Sequence, residues 1–156
     1  MRRHDREITD AAQIDAVIRA CDCCRLGFAD GGSCYIVPMN FGFVREGGRR
    51  IFYFHSAREG RKLELAQRNG TAGFELDTGH GLNTADAPCG YSFRFQSVIG
   101  TGRISLVQEP AEKLRALEAV MAQCTGRSGW EFPAGAADSV AILKLTVQEI
   151  SCKVHG

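Results

Sequence analysis

The chain has almost no net charge. In 156 residues, 19 lysines and arginines stand against 18 aspartates and glutamates, so no global field exists to draw in nucleic acid or an anionic membrane. Neither is expected as a partner. No apolar run is long enough to span a bilayer, and the first residues lack the apolar stretch of a secretory signal. The expectation is a cytoplasmic protein. Internal repeats, linkers and low-complexity segments are also missing, which argues for one domain over residues 1–156. No Ser-His-Asp or paired-carboxylate spacing stands out.

What is present is ordinary for a packed domain: 44% apolar and 24% charged residues. Seven cysteines cannot all pair internally, and without an export signal they are expected as free thiols. Cys21-Asp22-Cys23-Cys24 matches no usual zinc spacing and no second Cys/His pair follows, so no metal is expected. Cys34 and Cys124 fall on apolar faces and are expected in the core. The one basic group, Arg2, Arg3, His4 and Arg6, is interrupted by Asp5 and Glu7 and reads as a solvated start.

Thr9 and Asp10 precede Ala11, Ile14, Val17 and Ile18 at helical spacing, which predicts a short amphipathic helix. From Cys24 the texture changes to strand, tight turn at Asp30-Gly31-Gly32, then a strand from Tyr35 running through Phe43. A turn at Glu46-Gly47-Gly48 leads into the aromatic strand Ile51–Phe54, and the three strands read as a meander. Ser56-x-x-Glu59 has capping-box spacing, opening a helix that stops at Asn69-Gly70. Residues 71–78 read as a strand, 79–90 as a loop, and 91–107 as a strand bent near Gly100 and Gly102. Pro110 starts a helix whose apolar face is Leu114, Leu117, Val120, Met121 and Cys124, and Val140–Val147 is the last strand. Gly100-Thr101-Gly102 leads into a strand, so it is no dinucleotide fingerprint. This order does not alternate as a parallel doubly wound sheet would; it predicts a mainly β, α+β antiparallel barrel with peripheral helices.

Two segments carry candidate chemistry. In His55-Ser56-Ala57-Arg58-Glu59-Gly60-Arg61-Lys62, three cations crowd a helix N-terminus, where each is unfavourable by about 0.3–1 kcal/mol. A bound phosphate would reverse that, with Ser56 and backbone amides donating and Arg61 and Lys62 supplying charge. The alternative is that Arg61 and Lys62 face solvent, that Ser56 is only a cap, and that His55 is a satisfied buried histidine. In Pro38-Met39-Asn40, proline lacks the N–H that a central strand needs, which leaves either main-chain groups free for a flat heteroaromatic ligand or a plain edge strand.

Together, Arg2-Arg3-x-Asp5-Arg6-Glu7-Ile8, Tyr35-Ile36-Val37-Pro38-Met39-Asn40-Phe41, Tyr53-Phe54-His55-Ser56-Ala57-x-x-Gly60-Arg61-Lys62 and Ser97-Val98-Ile99-Gly100-x-Gly102 resemble the nitroimidazole-resistance branch of the pyridoxamine-phosphate-oxidase-like split β-barrels. The resemblance implies a homodimer holding a flavin, usually FMN, in each of two clefts between subunits. Residue by residue, it implies that Val37, Pro38, Met39 and Asn40 lie along the isoalloxazine ring. It likewise implies that His55, Ser56, Arg61 and Lys62 hold the phosphate, and that Ser97 and Val98 approach the ring. The implied function is an FMN-dependent oxidoreductase acting on a small oxidised substrate, possible substrates being nitroimidazole-type nitro compounds, with His55 as candidate proton donor.

The phosphate turn would serve FAD as well as FMN. A non-catalytic flavin- or haem-binding module on the same scaffold is the alternative function, with His55, His80 and His155 as possible axial ligands. A third reading is an interaction domain with no cofactor. The basic C-terminal motif of a true pyridoxamine-phosphate oxidase is not evident in Gln148–His155, which argues against vitamin metabolism.

Overall fold

The structure, a computed structural model, describes residues 4–156; Arg2 and Arg3 of the basic start lie outside the described residues. Eleven main elements follow in order: β1 (Glu7–Ile8), α1 (Ala11–Ala20), β2 (Cys24–Asp30), β3 (Ser33–Met39), β4 (Gly42–Glu46), β5 (Arg49–Ser56), α2 (Arg61–Asn69), β6 (Thr71–Asn83), β7 (Ser92–Leu106), α3 (Pro110–Thr125) and β8 (Ala141–His155). The strands form one antiparallel eight-stranded sheet in the order β3-β2-β6-β7-β8-β5-β4, with β1 added on β8. The helices lie on its periphery, as expected of the split-barrel architecture. No helix among the described residues is long and apolar enough to cross a membrane.

Local signals near the start act as read. The Asp10 carboxylate accepts from the Gln13 N–H at 2.8 Å, and Ile14, Val17 and Ile18 turn inward. The meander, however, is not formed. β3 stops at Met39, and β4 pairs only with β5, so the two hairpins occupy opposite edges of the sheet. Two features end β3: Pro38 cannot donate to a ladder, and Phe41 leaves the strand to bury fully against Phe52, ring centroids 5.6 Å apart.

Phe52 is the centre of the main core. Its ring also meets Phe43 at 5.6 Å, Phe74 at 5.2 Å and Phe54 at 6.5 Å, so β4, β5 and β6 are joined through one aromatic cluster. A second, smaller core lies under α3, and there the expected apolar face holds only in part, with Val120 buried and Leu117 packed against the core. Ala116, Ala119 and Val120 are buried, whereas Leu114 and Cys124 are exposed. The cause is the closeness of the packing: a Cβ on Gly42 of β4 would lie 2.5 Å from the backbone of Ala119 and Val120. Only small side chains fit between a helix and a strand at that distance.

Three further differences share a cause. β6 continues to Asn83, because Gly81, Leu82 and Asn83 pair with Arg94, Phe93 and Ser92 of β7 across an irregularity after Thr78. The predicted loop is shorter by that amount. β8 runs on to His155 because β7 pairs with it along its whole length, with a register shift at Thr101/Gly102 where a bend was expected. Cys34 is exposed instead of buried, since edge strand β3 turns it outward. In each case long-range pairing decides what local composition left open.

Cys21, Cys24 and Cys152 are buried. Burial pushes the Cys21 thiol up to about 12 and that of Cys24 higher, which keeps both protonated and poor as metal ligands or nucleophiles. No cluster of three or more potential metal ligands occurs among the described residues. Near α3, the Tyr53 hydroxyl donates to Glu112 Oε1 at 2.8 Å and Lys144 Nζ donates to the same oxygen at 2.6 Å. Lys144 first, and Tyr53 with it, hold the Glu112 carboxyl below its ordinary value of 4.5.

Phe52→Ala should lower unfolding free energy by about 3–5 kcal/mol, and Gly42→Ala by about 1–3 kcal/mol, both read from urea denaturation. A carboxyl with a depressed pKa adds stability above its ordinary value and loses it as pH falls through the folded value. The urea midpoint should therefore drop below about pH 4.5, and Glu112→Gln should flatten part of that slope.

Candidate functional site

β5 delivers His55 and Ser56 to one end of the sheet, and residues 57–60 cross from there to α2. The capping box read at Ser56 is not formed. Ser56 is still strand, in register with Ala141 of β8, and α2 starts five residues later behind Gly60. Gly60 has φ 131° and ψ 164°, a conformation closed to other L residues, and no side chain caps the helix. The Leu63 and Glu64 amides donate to the Gly60 carbonyl, at 2.9 and 3.3 Å, and no side chain caps the Arg61 and Lys62 amides ahead of them.

Ser56 is the unusual residue here. Its side chain is buried, at 6% exposure, and among the described residues its hydroxyl is the buried side-chain polar atom that lacks a hydrogen-bond partner. A buried hydroxyl left unpaired costs about 1–3 kcal/mol, so such a group asks for an explanation. Beside it, Ala57, Arg58 and Glu59 line an open hollow of about 480 Å³. His55 is exposed, which removes the reading of a buried, satisfied histidine.

The two predicted phosphate cations differ. Lys62 is half-buried and forms no ion pair with a described residue. Arg61 is engaged: Nε donates to Asp30 Oδ2 at 3.0 Å, Nη2 donates to the same oxygen, and the guanidinium lies 4.8 Å from the centroid of Tyr35. Arg68 Nη2 donates to the other oxygen, Asp30 Oδ1, at 2.8 Å, and Asn69 Nδ2 to the Ala29 carbonyl at 2.8 Å. Arg68 and Arg61 together hold the Asp30 carboxyl below its usual range. Sequence reasoning missed Asp30, because an aspartate before Gly31-Gly32 reads fully as turn chemistry.

The predicted ring segment lies on edge strand β3. Val37 and Met39 are half-buried against the main core; Pro38 and Asn40 are exposed, and Asn40 Nδ2 donates to the Asp22 carbonyl at 3.2 Å. Tyr35, at the other end of β3, joins this strand to α2 through Arg61.

Ser97 and Val98 are not brought to the turn. The Val98 side chain is fully buried in the core; Ser97 is half-buried on the opposite, outward face. Ser56 pairs with Ala141 and Ser97 with Lys153, twelve residues apart on β8. That is about 40 Å of extended strand. The outward face near Ser97 carries exposed Phe93 and Ile99 on β7, Leu82 on β6 and Ile36 on β3.

The family model for pyridoxamine 5'-phosphate oxidase matches residues 10–154. Among solved structures, a candidate 5-nitroimidazole antibiotic resistance protein of Bacteroides thetaiotaomicron is 32% identical, with TM-score 0.80, over 95% of this chain and 86% of that one. A flavocytochrome of Azotobacter vinelandii shares the fold at 23% identity and TM-score 0.79, over 100% and 72%. An FAD-binding protein of Mesorhizobium loti shares it at 19% and 0.67, over 97% and 98%. No match was found among curated protein sequences. With its split-barrel sheet and a match over nearly the whole chain, the protein belongs to the pyridoxamine 5'-phosphate oxidase family.

Proposed function

We propose that this protein binds FMN and acts as an oxidoreductase on a small oxidised substrate, with nitroimidazole-type nitro compounds the favoured class. The observation that carries the reading is the buried, unpartnered Ser56 hydroxyl beside the uncapped N-terminus of α2. The Ser56 hydroxyl without an acceptor and a helix start without a side-chain cap, next to Lys62 and Arg61, make a set that a phosphate monoester completes. Ser56 and the first-turn amides would donate to the phosphate, and Lys62 would supply charge. The solved relative linked to nitroimidazole resistance, at 32% identity, supports the choice of substrate class.

Bound flavin would supply two-electron transfer, a step for which the protein needs no nucleophile of its own. What the chain contributes is position and protons. His55, exposed at the end of β5 beside Ser56, is the proton-donating side chain at the turn. Val37 to Asn40 offer an edge strand whose outer backbone groups no strand pairs with, suited to polar atoms on a flat ring.

A homodimer is part of the same proposal. Ser97 and the phosphate turn sit at opposite ends of β8, so one cleft lined by both needs two protomers. The exposed apolar residues Ile36, Phe93 and Ile99 suit burial against a second copy.

The protein should purify yellow, or stay yellow after FMN is added and the unbound excess removed, with flavin bands near about 370 and 450 nm, and should consume a nitroimidazole when a reductant is supplied. A protein that is colourless once the excess FMN is removed refutes the proposal, and a single intense Soret band favours the haem-binding module. Ser56→Ala should weaken FMN binding about ten- to hundredfold, while stabilising the ligand-free protein by about 1 kcal/mol. Lys62→Glu should abolish cofactor retention with the oligomer intact by light scattering.

A further inference from the structure

Arg61 is expected to serve an anion, yet it already serves one. The Asp30 carboxylate, 18% exposed at the tip of the β2–β3 hairpin, takes Nε and Nη2 of Arg61 on one oxygen and Arg68 on the other. The Tyr35 ring under the guanidinium holds it in that position. Lys62, one residue on, forms no ion pair with a described residue. Among the described residues the two cations assigned to one phosphate are thus in different states, one without an ion pair and one held by Asp30.

We propose that Asp30 is an internal competitor for the phosphate site, occupying Arg61 in the ligand-free protein and sharing it with Arg68, so that the Arg68–Asp30 bond sets how readily Arg61 turns to a bound phosphate. This inference rests on the flavin-phosphate reading above. The physical basis is the limited number of acceptors a guanidinium fork can satisfy at full strength: Nε and one Nη are the pair that grips an oxyanion, and both lie on Asp30. Phosphate can recruit Arg61 only by loosening that grip. Arg68 makes this easier, because it keeps the carboxylate partnered after Arg61 leaves. Two arginines beside Asp30 also keep it ionised through the neutral range, so the competition does not switch off near pH 7.

The signs of the variants follow and oppose each other. Asp30→Asn keeps the shape of the hairpin and removes the competing charge, so FMN and inorganic phosphate should bind about three- to tenfold more tightly. Arg68→Gln leaves Asp30 to Arg61 alone, so both ligands should bind more weakly, about two- to threefold. In Asp30→Asn background the Arg68→Gln loss should shrink or vanish, since the two changes act through one carboxylate. A purely structural role for the cluster predicts the reverse for Asp30→Asn, because a loosened α2 would bind less well.

The experiment is titration of the full chain and its three variants with FMN by flavin fluorescence, and with inorganic phosphate by protection against heat. Tighter binding by Asp30→Asn with a non-additive double variant supports the inference. FMN affinity unchanged or lowered by Asp30→Asn, or an Arg68→Gln loss equal in both backgrounds, overturns it while leaving the flavin reading standing. FMN that binds none of the four proteins overturns the flavin reading, and this inference with it.

Discussion

β8 is the strand on which the rest of the molecule depends. It hydrogen-bonds to β5 through its first residues, to β7 along its length, and to β1 near its end. Without it the β4–β5 hairpin has no neighbour in the sheet, and the aromatic cluster around Phe52 loses the wall formed by Leu143 and Leu145. Position along β8 also sets the spacing of the candidate site. Ser56 stands opposite its start and Ser97 opposite its end, and the length of an extended strand keeps them apart.

The start of α2, the candidate site, runs against local helix stability. This helix begins with a glycine at φ 131° in place of a capping side chain and with two cations ahead of Glu64, and the unpartnered Ser56 hydroxyl lies just before it at the end of β5. The two cations are unfavourable for the helix alone and favour an anion. The surrounding structure offsets the loss: Leu63, Leu65 and Ala66 bury against the main core, Gly70 closes the helix at φ 64°, and Arg68 and Asn69 tie it to the β2–β3 hairpin. Asp30 belongs to the same balance, since it neutralises the cations that a ligand would otherwise meet.

α3 illustrates a different constraint, set by distance. Leu114, Leu117 and Met121 look like the core face when only the periodicity is considered. The helix turns Ala116 and Ala119 inward instead, because its backbone lies against Gly42. A leucine does not fit there, and Leu114 lies outside the contact, beside Trp130 and Phe132.

Local rules that act within a few residues were legible in the chain itself. Asp10 caps α1, the Gly31-Gly32 and Gly47-Gly48 turns join their hairpins, Gly70 ends α2, and Arg61 and Lys62 stand at the start of that helix. The sheet order, the separation of β3 from β4, the small-residue face of α3 and the burial of Val98 were decided by tertiary structure. So were the unpaired hydroxyl of Ser56 and the hold of Asp30 on Arg61, thirty-one residues apart in the chain. The division has a physical reason. Caps and turns are settled by neighbours along the backbone, whereas strand partners, close approaches and ion pairs are settled by what lies across space, which pattern and propensity do not encode.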